Sequence, residues 1–231
     1  MTLGVVRPGG RRSWWLREAL AAEADGGAPL PPLRGTVRAD VAILGGGYTG
    51  LWTAGRLAEL APGARIVVLE QDICGGGPSG RNGGFVTGWW DELPTLVERG
   101  GVDRGLAIAR AIGDAVTQSG DWCVRNGVDA WYRQAGYMQV SAAPAQDGDW
   151  REAVELCSRL GVGEEYEELS PDEVQARCRG PVFRGGVFMR AGPTVQPARL
   201  ARGLRRVALE RGVTIHEGTQ VVACEGRTGP A

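Results

Sequence analysis

Six residues, Gly45-Gly46-Gly47-Tyr48-Thr49-Gly50, restrict the fold more than any other part of the chain. They follow the apolar run Ala39-Asp40-Val41-Ala42-Ile43-Leu44 and precede a helical spacing of Leu51, Ala54, Leu57, Ala58 and Leu60. Glycines 45, 47 and 50 satisfy G-x-G-x-x-G in the place where that string has a physical use, between a strand and a helix. The first glycine permits a tight turn, the second lets backbone approach a pyrophosphate, and the third lets the helix close onto the strand. Ala61-Pro62-Gly63 stops the helix, and Ile66-Val67-Val68-Leu69 reads as a second strand closing on Glu70. Both strand runs are continuously apolar, which predicts burial on both faces. Strand, helix and strand within about 30 residues predict a βαβ unit with a right-handed crossover.

The chain contains no lysine, so an anion site here rests on the helix N-terminus, on the amides of Tyr48, Thr49 and Gly50 and on the macrodipole. Glu70 lies 20 residues after Gly50. A carboxylate there can accept hydrogen bonds from both ribose hydroxyls, which favours FAD or NAD over the 2′-phosphate of NADP. The βαβ unit alone leaves FAD and NAD both open. The loop that follows favours FAD. Ser79-Gly80-Arg81-Asn82-Gly83-Gly84 offers successive amides, a hydroxyl, a guanidinium and a carboxamide, a set that suits a diphosphate, a ribityl chain and a flavin ring.

The rest of the chain changes character. Helical spacing is predicted over 102–122, 147–160 and 197–210, and Ser170-Pro171-Asp172-Glu173 has the form of a capping box. Residues 131–141 read as one or two strands, 182–189 as strand-like, 213–216 as a third short strand of the first type, and 221–224 as a fourth. The predicted class is α/β: an FAD-binding Rossmann-like βαβ domain interrupted by an incomplete α+β substrate domain. The expected organisation is a tail and Pro/Gly linker over 1–38, the βαβ and glycine loop over 39–89, a substrate-domain segment over 90–192, and a return to the first domain over 193–231. Trp14 and Trp15 are expected to dock the tail onto the body, since two indoles in water waste apolar area.

Composition removes several function classes. With 26 basic and 27 acidic residues the formal charge is −1, which gives no field for a nucleic-acid backbone or a lipid surface. No run is long enough to span a bilayer, and Met1–Trp15 lacks the apolar core of a secretory signal. Five dispersed cysteines, Cys74, Cys123, Cys157, Cys178 and Cys224, point to reduced thiols in a cytoplasmic protein without structural zinc. His216 is the single histidine, so no metal site is expected, and His216 itself reads as structural or exposed. The arginines at 199, 202, 205, 206 and 211 read as a solvated helix face, and the acidic run 164–168 as a solvated loop.

The strand-glycine segment Ala39–Leu51, Glu70 and the Ser79–Gly84 loop, with Ser13-Trp14-Trp15-Leu16 and Val195–Leu200, resemble FAD-dependent amine oxidoreductases of the D-amino-acid/glycine oxidase type, in the gamma-glutamylputrescine oxidoreductase-like branch. The resemblance implies that Gly45, Gly47 and Gly50 hold the pyrophosphate of FAD and Glu70 its adenosine ribose. It places Ser79, Arg81, Asn82 and Gly83 along the diphosphate and flavin, and pairs the backbone of Val221 with adenine. It implies oxidation of a C–N bond in a small amine or amino acid, with hydride passing to the flavin and water hydrolysing the imine, and it assigns no catalytic residue. Members of that family continue past the equivalent of Ala231, so a truncated product or a second polypeptide completing the fold is expected. Two alternatives stand beside this reading: an inactive or partner-dependent nucleotide-binding fragment, and an NAD-dependent dehydrogenase.

Overall fold

The computed structural model describes residues 12–226. The expectations for Met1–Trp15 and for the C-terminal segment 225–231 lie largely outside these. In chain order the first elements are α1 (Trp14–Ala22), β1 (Val41–Leu44), α2 (Tyr48–Leu60), β2 (Ile66–Leu69), α3 (Leu93–Gly100) and α4 (Val102–Arg125). There follow β3 (Tyr137–Val140), α5 (Arg151–Arg159), β4 (Tyr166–Leu169), α6 (Pro171–Arg177), β5 (Gly186–Met189), α7 (Pro197–Glu210) and β6 (Thr214–His216). The chain forms two compact units. One takes the residues up to Gly83, 126–130, and those from Gln196 on; the other takes 84–125 and 131–195.

The first unit is built on a parallel sheet of order β1-β2-β6, with Val41 opposite Ile66 and Val67 opposite Thr214. β2 lies between the others, and Ile66, Val67 and Val68 are buried. β1 departs from the expected double burial: Val41 and Ile43 are half-buried while Ala42 and Leu44 are exposed. Successive side chains point to opposite faces, so Ala42 and Leu44 lie on a face of the sheet that is left open at this strand, and Val41 and Ile43 on the covered one. α2 packs against β2 and α7. Residues 221–224, expected as a fourth strand, have no regular structure, and Val222 is 89% exposed.

The N-terminal region is held to the first unit by α1, with one of its two tryptophans: Trp15 is half-buried against the docking cluster, and Trp14 is not. Ser13 caps the helix by accepting from Leu16 N, and Leu16 and Ala19 enter a cluster with Ile73 and Ala198. Trp14 stays 57% exposed, edge-on to Trp15 at 5.1 Å. The helix therefore docks by its aliphatic stripe together with Trp15, as expected for one indole of the pair and not for the other. The expected solvated arginine face of α7 is also corrected: Arg202 and Arg205 are only 4% and 6% exposed. Arg202 meets Glu23 at 2.5 Å, Arg205 meets Glu217 at 3.1 Å, and Arg199 bonds Glu18. The acids that cover this face sit about 180 residues away or beyond the helix, so helical periodicity could not reveal them.

The second unit carries an antiparallel sheet of order β3-β5-β4. Its core gathers Trp90, Leu93, Trp150, Leu156, Tyr166 and Met189. The acidic run expected as a loop contains β4, with Tyr166 and Leu169 buried and Glu167 and Glu168 exposed. The strand was hidden because its buried residues lie three apart, on opposite faces, with two consecutive acids between them, so no period-2 alternation appears. α6 starts on the predicted capping box, with reciprocal Ser170 and Glu173 bonds. The strands expected at 131–141 and 182–189 shorten to 137–140 and 186–189. No described helix is long and apolar enough to cross a membrane, and no group of three metal-ligating side chains occurs among the described residues.

Candidate functional site

The site grows from the C-terminal ends of β1 and β2. Gly45, at φ +103°, turns the chain out of β1 while its N–H donates to Leu69 O at 2.9 Å. That bond ties the turn to the neighbouring strand. Leu51 N–H makes the first bond of α2, to Gly47 O, so the amides of Thr49 and Gly50 precede the intrahelical ladder. Close packing makes glycine obligatory at Gly50, and at Gly47 it leaves room for a Cβ only if the Ser79 side chain shifts. A Cβ on Gly50 would collide with the Gly45 carbonyl, and one on Gly47 would lie 3.0 Å from Ser79 Oγ.

Glu70 and Ser79 complete the mouth. Glu70 Oε2 accepts from Gly46 N at 2.7 Å and Oε1 from Asp72 N at 2.8 Å, so each carboxylate oxygen takes one amide. Ser79 Oγ accepts from Tyr48 N at 2.9 Å, and the Tyr48 hydroxyl donates to Pro197 O at 2.8 Å. The first amide of α2 is thus bonded to Ser79, which leaves the Ser79 proton for another acceptor. Gly75 N donates to Gly46 O, stitching the two glycine loops together. A Cβ on Gly80 would strike the Gly75 carbonyl, the same closure that Gly50 makes with Gly45.

A buried carboxylate that sequence reasoning missed holds this loop from behind. Glu217 is fully buried and accepts from Cys74 N at 2.8 Å, Leu30 N at 2.7 Å and Arg205 Nε at 3.1 Å. Burial alone would raise its pKa; the Cys74 and Leu30 amides and Arg205 outweigh it and hold the carboxyl below its ordinary value. Arg12 pairs with Asp72 at 2.6 Å, and Ser13 Oγ donates to Gly80 O at 2.8 Å. The available signal was an acid just after the third strand with two arginines three residues apart on the preceding helix. Their meeting depends on tertiary packing, not on spacing.

Of the predicted residues, Gly45, Gly47, Tyr48, Gly50, Glu70 and Ser79 are brought together by these bonds. Thr49 is exposed at the helix start. Arg81, Asn82 and Gly83 are exposed on the outer turn of the loop, where Asn82 Nδ2 donates to Pro78 O and Ser79 O. Val221 is 37% exposed, two residues past Thr219, whose N–H donates to Glu70 O. His216 is structural, as expected: its carbonyl accepts from Glu70 N, and Nδ1 lies 3.2 Å from Pro31 O. Cys74 is buried, and desolvation followed by the nearby Glu217 and Glu70 charges raises its pKa far above the usual thiol range. It is no nucleophile at neutral pH. A separate groove of about 600 Å³ lies between α1, α7 and residues 127–129. Arg199, Arg202, Arg205 and Arg206 there are all ion-paired, so it offers no charged anchor.

Residues 40–230 match the family model described as DAO, FAD dependent oxidoreductase. The chain belongs to this family. It is 29% identical over 212 residues to gamma-glutamylputrescine oxidoreductase of Escherichia coli K12, covering 90% of this chain and 48% of that protein. It is 30% identical to a probable oxidoreductase, OrdL, of Rhizobium meliloti, covering 87% and 46%. Among solved structures the fold resembles L-amino acid deaminase from Proteus myxofaciens in complex with anthranilate, at TM-score 0.67 and 20% identity, covering 87% of this chain and 43% of that one. It also resembles glycine oxidase from Bacillus cereus, at TM-score 0.61 and 21% identity, covering 83% and 49%. The chain spans about half the length of the curated relatives it matches. The family is described as FAD dependent, so the cofactor type is FAD.

Proposed function

We propose that the first unit is the FAD-binding part of an oxidoreductase acting on the C–N bond of a small amine or amino acid. The observation that carries the cofactor assignment is the bonded mouth in which Gly46, Glu70, Tyr48 and Ser79 fix one another. The cradle fits an extended dinucleotide. Glu70 has one amide on each oxygen and about four acceptor positions in all, so it keeps room for two ribose hydroxyls and would repel a 2′-phosphate. The amides of Thr49 and Gly50 and the Ser79 proton suit diphosphate oxygens. Arg81 adds a cation on the exposed turn, and Val221 is the residue we place beside adenine. When bound, FAD supplies the two-electron oxidation itself. The chain's own residues bind and orient, and none is assigned a proton-transfer role. The amine or amino-acid substrate class rests on the printed names of relatives, gamma-glutamylputrescine oxidoreductase, glycine oxidase and L-amino acid deaminase. A second polypeptide supplying the part of the relatives that this chain does not span belongs to the same proposal.

The test is an absorption spectrum of the purified chain with and without added FAD, read again after gel filtration. Flavin bands that travel with the protein are the expected result. Preferential retention of NAD, or no flavin retained at any FAD concentration that saturates a holoenzyme, overturns the assignment for this chain. Anaerobic bleaching by amines but not by hydroxy acids would then fix the bond type. Replacing Glu70 by alanine removes hydrogen bonds to a charged acceptor and should weaken FAD binding about tenfold or more, measured by flavin fluorescence quenching. Glu70→Gln, which keeps one acceptor oxygen, should fall between.

A further inference from the structure

Helix α1 carries polar contacts at both ends, and those at its N-terminal end fall on the second glycine loop. Arg12 gives Asp72 two bonds, Nη1 to Oδ2 at 2.6 Å and Nη2 to Oδ1 at 2.9 Å, and both side chains are largely buried, at 25% and 21% exposed. Asp72 in turn donates its N–H to Glu70 Oε1 at 2.8 Å, while Glu70 Oε2 holds Gly46 N at 2.7 Å. The guanidinium is therefore one residue removed from the carboxylate at the mouth. Ser13 uses one oxygen twice. Its Oγ accepts from Leu16 N at 3.1 Å, which caps α1, and donates to Gly80 O at 2.8 Å. Gly80 follows Ser79, whose hydroxyl takes Tyr48 N. Between these contacts Leu16 and Ala19 enter one buried cluster with Ile73. The loop closes tightly around the Arg12–Asp72 pair: a Cβ on Gly76 would come within 2.8 Å of Asp72 Oδ2 and 3.2 Å of Arg12 Nη1.

The rest of the helix is fixed to α7. Glu18 accepts from Gln196 Nε2 at 2.6 Å and from Arg199 Nε at 2.9 Å, and Glu23 pairs with Arg202. One helix of nine residues thus ties the loop to α7. We propose that α1 is a clamp on the second glycine loop, with Arg12 and Ser13 as positioning residues that hold Asp72 and Gly80 in register with the first loop. Both act through those two residues and are assigned no contact with the cofactor. The clamp is argued from contacts within the first unit alone; its effect on FAD rests on the cofactor reading above. That effect is reciprocal. A clamped loop that binds FAD more tightly is itself held more tightly by bound FAD, by the same factor.

Ser13 allows clamping to be separated from capping. Asp caps a helix as well as Ser does, but a carboxylate only accepts, so Ser13→Asp keeps α1 and loses the bond to Gly80 O. Ser13→Thr keeps both. The experiment is hydrogen–deuterium exchange of the full 231-residue chain, read by mass spectrometry over peptides covering 70–83, with an FAD titration followed by flavin fluorescence quenching. Ser13→Asp and Arg12→Met should exchange faster over 70–83 and bind FAD about threefold to tenfold more weakly, the size of one hydrogen bond. Ser13→Thr should follow the parent, and so should Arg56→Met, which removes an exposed ion pair on α2. Added FAD should slow exchange within α1 of the parent, and less so in Ser13→Asp. Unchanged exchange over 70–83 in either variant overturns the proposal, as does parental FAD affinity in a Ser13→Asp chain that carries flavin. A rise spread equally over β2 and α7 also overturns it, because that marks a general loss of stability. Faster loop exchange in chains that hold no FAD, the parent included, would sink the cofactor reading and leave the clamp standing. Retained FAD with unchanged loop exchange would do the reverse.

Discussion

Glu217→Ala should destabilise the protein by about 3–5 kcal/mol, the range for removing one partner of a buried ion pair. Glu217 is fully buried, and its loss leaves Arg205, itself 6% exposed, without a carboxylate. It also strands the amides of Cys74 and Leu30. Arg202 keeps Glu23, so the damage centres on Arg205 and the glycine loop. Urea unfolding followed by circular dichroism measures the loss, and a change below about 1 kcal/mol would refute the hub role. The same residue sets an acid limb. Its carboxyl is held below the ordinary value of 4.5, so the folded state binds a proton less readily than the unfolded chain. The stabilisation is fully present above that ordinary value and fades as pH falls below it. Glu217→Gln should lower stability at neutral pH and flatten the acid decline.

Gly50→Val should abolish FAD retention while Gly63→Ala leaves it unchanged. The added atoms at 50 meet the Gly45 carbonyl and come within 3.2 Å of Ile43 Cγ2. The turn cannot retreat without breaking the Gly45 N–Leu69 O bond that joins it to β2. Overpacking of this kind costs about 1–3 kcal/mol, and the strain falls on the amides proposed to face the diphosphate. Gly63 lies in open space with nothing within 4 Å, so its substitution should stay within about 0.5 kcal/mol. Gel filtration with FAD and a thermal melt separate the two outcomes. A Gly50→Val protein that carries flavin normally would show that the close approach is dispensable.

The strand-turn-helix-strand of residues 41–69 was legible because every determinant lies within one short stretch. Apolar runs, the positive-φ glycine and the Pro-Gly stop each act on their neighbours. The capping box at Ser170 was legible for the same reason. What escaped was set by distant partners. The half-exposure of β1 depends on what covers each face of the sheet, and the burial of Arg202 and Arg205 depends on Glu23 and Glu217. β4 escaped because Glu167 and Glu168 occupy consecutive positions between Tyr166 and Leu169, which are buried on opposite faces and so show no alternation. Glycine spacing singled out Gly45, Gly47 and Gly50, the end of the second strand gave Glu70 and the loop after it Ser79, but no pattern announced that Gly46 would meet Glu70 or that Ser79 would take the first amide of α2.

The bonds that close the glycine loop also fix when it can close during synthesis. Cys74 waits for Glu217, 143 residues later, and Leu30 waits 187 residues for the same carboxylate. At about 5–20 residues per second, the ribosome needs roughly 7–30 s to make the Cys74–Glu217 stretch. Throughout that interval β1 and β2 can pair and Glu70 can hold Gly46, yet the Cys74 amide has no carboxylate to receive it and the place of β6 is empty. The second unit, made almost wholly between these events, can fold first. A nascent chain would therefore hold a finished middle and an unfinished start, with the free edge of β2 open to chaperones until β6 and Glu217 emerge.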